Sequence, residues 1–69
     1  MKLILIDDKN KVLAKIENDV RFPVKDEKIS FYPDQPLKIY QEPNPMRGTV
    51  TSVEFNYIDN CCIIQITAD

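Results

Sequence analysis

The chain has 69 residues, 43% of them hydrophobic and 29% charged, with a formal net charge of −2 and no histidine. That length holds one domain with one core, since a domain this small buries only about 60% of the surface its unfolded chain exposes. The balance excludes a disordered chain, and its nine basic residues against eleven acidic ones, nowhere clustered, weigh against a phosphate-backbone binder.

Met1-Lys2 is followed by only four apolar residues before Asp7-Asp8. A signal-peptide core needs roughly seven to fifteen and a membrane span about twenty, so the expectation is a cytoplasmic chain with reduced thiols and no membrane segment. With no disulfide to staple so small a core, stability must come from packing, which predicts a marginal monomer or an oligomer.

Lys2 to Ile6 is a continuous apolar run bounded by turn residues, the signature of a buried strand. In "DDKNK" Asn10 is the residue best suited to a left-handed turn position. Val12, Ala14 and Ile16 then alternate with Leu13, Lys15 and Glu17, so the first seventeen residues predict a β-hairpin with one mostly apolar face. After Asn18-Asp19, Pro23 cannot donate to a ladder, which makes this segment an edge or loop before a strand from Lys28 to Tyr32.

Prolines 33, 36, 43 and 45 bracket "LKIY", Leu37 to Tyr40, a small strand by its alternation, and "QEPNPMRG" is expected as a loop. From Gly48 the chain is persistently β-prone. Val53, Phe55 and Tyr57 share one parity and Val50 has the other, a mismatch that a bulge near Thr51-Ser52 would repair. Ile58-Asp59-Asn60 supplies hairpin turn chemistry. On the last run Cys62, Ile64 and Ile66 form the predicted core face, with Cys61, Ile63, Gln65 and Thr67 opposite. The fold class expected is all-β: a small antiparallel barrel or two-layer sandwich of five or six short strands, because an open sheet of this size leaves edges unprotected.

The segments "FPVKDEKISF", "RGTVTSVEF" and "CCIIQIT" together resemble Src-homology-3-like small barrels, many of them uncharacterised proteins of bacteria and phages. The resemblance covers roughly the last two-thirds of the chain and implies a fold rather than an activity. Asp26 stands where such barrels commonly carry a glycine before the strand, and the acidic-aromatic loop with which peptide-binding members grip proline-rich ligands is missing.

Few residues offer chemistry. Cys61 and Cys62 are neighbours on a strand, so their side chains point to opposite faces and cannot readily share one metal. A disulfide between them would close a strained ring. They read as one buried small hydrophobe and one partly exposed thiol. Asp7 and Asp8, even with Asp19 or Asp59 nearby, lack the alternating oxygens and glycine of a calcium loop, so turn chemistry accounts for them. Without an imidazole base, no catalytic site and no cofactor are expected.

The aromatic residues Phe22, Phe31, Tyr32, Tyr40, Phe55 and Tyr57 are mostly assigned to the core, but Phe31 and Tyr32 are adjacent and one of them must be exposed. With Tyr40, Met46 and Arg47 the exposed one forms a candidate contact patch over the loop from Pro33 to Arg47. The last strand has no lysine or proline to block an edge, which adds Ile63 and Gln65 as a route for strand addition.

The resulting expectation is a protein-interaction module, either self-associating or docking on a larger protein as structural piece, adaptor or inhibitor. The alternative is a single-stranded nucleic-acid-binding barrel that stacks bases on Tyr32 and Tyr57 beside Lys28, Lys38 and Arg47.

Overall fold

The computed structural model describes residues 1–17, 21–34 and 45–68. Five strands occur in them: β1 (Lys2–Ile6), β2 (Val12–Glu17), β3 (Lys28–Phe31), β4 (Met46–Asn56) and β5 (Cys61–Ala68). They form one sheet in the order β2-β1-β5-β4-β3, curled around a core on its concave face. The all-β class is as expected. One ladder departs from the antiparallel pattern: β1 and β5 run parallel, with Leu3 beside Cys62 and Leu5 beside Ile64.

The β1–β2 hairpin turns where expected. Asn10 has φ 63°, and the Asp7 carboxylate accepts the N–H groups of Lys9 and Lys11 at 2.9 and 2.8 Å. These bonds to the charged form hold the Asp7 carboxyl below its usual range, that from Lys11 contributing most. The expected apolar face of β2 is corrected. Ala14 is buried, but the register shifts opposite Leu5 and Ile6, so Val12 pairs with Ile6 on the convex face while Leu13 packs against the core.

Before β3, the chain makes a turn in which the Glu27 N–H donates to the Val24 carbonyl and Asp26 takes φ 72°. This is the position where a glycine was expected, and the left-handed backbone explains that preference. β3 ends at Phe31, which is buried, whereas Tyr32 is 63% exposed. The expected strand at Leu37 to Tyr40 lies outside the described residues.

β4 begins earlier than predicted: Met46, Arg47 and Gly48 pair with Phe31, Ser30 and Ile29 rather than looping. A glycine is required at 48, because a Cβ there would run into the Ile66 side chain and come within 2.8 Å of the Thr67 carbonyl oxygen. The predicted bulge is present, with Val50 opposite Ile66, Ser52 opposite Gln65 and Thr51 the extra residue. Its hydroxyl donates to the Gln65 carbonyl at 3.2 Å. At the β4–β5 turn, Asn60 has φ 53° and the Asn56 side-chain oxygen accepts the N–H groups of Ile58 and Asp59, each at 3.0 Å.

The core consists of Leu3, Leu5, Ala14, Phe31, Val50, Cys62, Ile64 and Ile66. Cys62, Ile64 and Ile66 lie on the face assigned to them. Cys61 is a correction: it is 6% exposed rather than partly exposed. Its short side chain sits on the convex face in register between Lys2 and Asn56. Among the described residues there is no helix long and apolar enough to cross a membrane.

Candidate functional site: an aromatic ledge beside an open strand

β4 is 11 residues long, but the four residues of β3 accompany only its first part. The concave face of β4 therefore continues through Val53 and Phe55 towards Tyr57 with less cover than the core has. Phe22 meets Phe55 edge-on at a centroid distance of 5.3 Å, and Phe55 lies parallel to Tyr57 at 6.1 Å. Phe55 is 42% exposed and Tyr57 80%, with Ile58 at the turn almost fully exposed. Edge-on and offset contacts of this kind favour aromatic rings beyond their area alone, and here they hold the three rings together while the outer surface stays in water.

Alongside runs a groove of about 550 Å³, with Phe22, Pro23, Val24 and Lys25 on one wall and Thr51, Ser52, Val53 and Phe55 on the other. The first wall is fixed at its end by two backbone bonds: the Asp26 N–H donates to the Val50 carbonyl and the Val50 N–H to the Glu27 carbonyl, both at 2.8 Å. Arg21 pairs with Glu27 across this segment, a contact that raises the basicity of the guanidinium. Glu54, on the opposite face of β4, and Asp59, in the β4–β5 turn, are exposed. A second cavity of about 320 Å³ lies at the other end of the sheet, between Asp7, Asp8, Leu13, Phe31, Met46 and Arg47.

Of the residues proposed from sequence, Tyr32, Met46 and Arg47 lie at one end of the sheet, where Phe31 pairs with Met46 and Ser30 with Arg47, whereas Ile63 and Gln65 lie on its central strand. Tyr32 and Arg47 are exposed and Met46 is half-buried against the core, while Tyr40 and Lys38 lie outside the described residues. Ile63 and Gln65 do not offer an edge: β5 is the central strand, bonded to β1 on one side and β4 on the other. Both are half-buried on the convex face, where the Ser52 hydroxyl donates to the Gln65 side-chain oxygen at 3.3 Å. Among the described strands the edges are β2 and β3.

The ledge corrects the assignment of these aromatic residues to the core: parity puts Phe55 on the core side of β4 but says nothing of how far the core extends, and Tyr57 lies in the turn beyond the strand. The available signal was the length mismatch between "KISF" and "MRGTVTSVEFN". The thiols offer little reactivity: both are free and buried, and burial, with the neighbouring Cys61 thiol, pushes the Cys62 thiol up. Comparison with known protein families, with curated proteins and with solved structures gives no match.

Proposed function

We propose that this chain is a non-catalytic protein-interaction module that docks on a larger partner through the Phe22–Phe55–Tyr57 ledge. The observation that carries this reading is the stacked Phe55–Tyr57 pair, held open to solvent and braced edge-on by Phe22. A rigid aromatic surface presents contact area at little cost in side-chain entropy, and aromatic residues are enriched in interface cores. The curled five-stranded sheet and the proline-led approach to β3 support kinship with Src-homology-3-like barrels, here using the ledge in place of the loop from Pro33 to Arg47. Two free thiols suit a reducing, cytoplasmic setting.

The formal net charge of −2, with no clustered basic residues, favours a protein over a nucleic acid as partner. Selection from a random-peptide display library, with binding to a fluorescent oligothymidine in parallel, tests the reading. The expected result is peptide ligands whose binding is lost in Tyr57→Ala and retained in Tyr32→Ala. Ligands indifferent to Tyr57→Ala, or oligonucleotide binding that collapses with salt and no peptide selected, would overturn it.

A further inference from the structure

Along a β-strand, the face to which a side chain points and the side to which its backbone N–H and C=O point alternate together. Val50 faces the core, and both its backbone groups are bonded on the β3 side, to Asp26 and Glu27. The bulge at Thr51 advances the alternation by one residue, so Val53 and Phe55, which share the core-side face, direct their backbone groups to that same side. There the β3 register ends at Thr49, and no other described strand pairs with Val53 or Phe55. Among the described residues the second half of β4 thus has an open edge, and the groove walled by Phe22 to Lys25 runs along it.

We propose that this edge accepts an extended peptide segment as an added strand, with apolar side chains alternating with basic ones. The proposal rests on the interaction-module reading above and gives its mode of recognition. Main-chain bonds to Val53 and Phe55 supply register, and the pockets for alternate side chains supply selectivity. Side chains on the concave side of the segment meet Phe22, Val24, Val53 and Phe55, which calls for apolar residues. Those on the convex side lie beside Ser52, Glu54 and Asn56, where the exposed Glu54 carboxylate calls for a cation. The same carboxylate disfavours a second copy: pairing Val53 with Phe55 of another β4 sets the two Glu54 residues directly opposite one another.

The test is titration of the ¹⁵N-labelled chain with a capped heptapeptide alternating valine and lysine. Three further probes are a valine–glutamate counterpart, a valine–lysine peptide N-methylated along its pairing edge, and the Glu54→Lys variant. The expected result is slowed amide exchange at Val53 and Phe55 with the valine–lysine peptide and none with its N-methylated form. The glutamate peptide is expected to bind roughly threefold more weakly, the size of one cross-strand charge pair, with the order reversed in Glu54→Lys. Equal binding of the N-methylated peptide, with Phe55 and Tyr57 still perturbed, would overturn strand addition and leave the ledge reading standing. If every peptide leaves the amides of Val53 to Tyr57 undisturbed, strand addition falls, and the display selection decides the ledge separately.

Discussion

The carboxylate of Asp34 accepts the backbone N–H of Lys15 at 2.9 Å, across the gap between the two edges of the sheet. The Asp34 N–H donates in turn to the Leu13 carbonyl at 3.0 Å. Three residues beyond β3, Asp34 thereby occupies the place on β2 that a sixth strand would take. This draws the open sheet into a half-barrel and covers part of an edge that would otherwise be available to another chain.

Replacing Asp34 with Ala leaves the Lys15 N–H without its acceptor. The expected loss is about 1 kcal/mol in urea unfolding, with faster exchange of the Lys15 amide and increased association at high concentration. Asp34→Asn keeps an acceptor oxygen and should stay close to the parent on all three readouts. An unchanged Lys15 exchange rate in Asp34→Ala would contradict the bridge.

Gly48→Ala should destabilise the fold by about 1–3 kcal/mol, the usual range for overpacking. The added methyl meets the Ile66 side chain, which can be shortened, and the Thr67 carbonyl, which cannot. Introducing Ile66→Ala alongside should therefore recover only part of the effect of Gly48→Ala, measured as a double-mutant cycle by chemical denaturation.

Asp26→Gly should stabilise the protein by about 1 kcal/mol, because a left-handed backbone is costly for a residue with a Cβ. Asp26→Ala at the same φ of 72° should do the opposite. Thermal midpoints of the two variants separate backbone strain from any effect of the lost charge, which both share.

A native carboxyl held below its usual range stabilises the folded state above the ordinary carboxylate value, near 4, and loses that contribution as pH falls through the lowered native value. Asp7 is such a group. Asp7→Asn should accordingly be less stable than the parent at pH 7, with the difference vanishing in acid. A difference that persists unchanged at pH 2 would assign the effect to turn geometry instead of charge.

Cys62 shows the reverse sign. Its thiol is raised by burial, so the folded state holds the proton longer than the unfolded chain, and stability should decline as pH rises past the ordinary thiol value near 8.5. At pH 8 the native protein should react slowly with a thiol reagent, releasing both equivalents only in denaturant. Rapid modification of one equivalent in the native state would mean that Cys61 is accessible.

Where local chemistry decides a feature, the residues announce it. Asn10 and Asn60 take the left-handed backbone their side chains tolerate, Thr51 is the extra residue of the bulge implied by the parity of Val50 and Val53, and Cys62, Ile64 and Ile66 share the core face. What resists reading is lateral placement. Strand alternation in "CIIQITA" is the same whether the strand is an edge or the centre, so the parallel pairing of Leu3 with Cys62 left no trace in either segment. The burial of Cys61 and the exposure of Tyr57 both follow from which strands lie alongside and how far they reach.

That parallel ladder also governs when the fold can form. Within the described sheet the β1–β2 hairpin and the β3–β4 pair are joined by β5, and beyond it by the two Asp34 bonds to β2, so without the last strand each is little more than a two-stranded ribbon. Such ribbons are marginal on their own, and contacts between β1 and β5 span nearly the whole sequence, the kind of connection that makes folding slow. Leu3, Leu5, Phe31 and Val50 complete their core only against Ile64 and Ile66 of β5, so the strand that is central in space is the one on which burial of all the others depends.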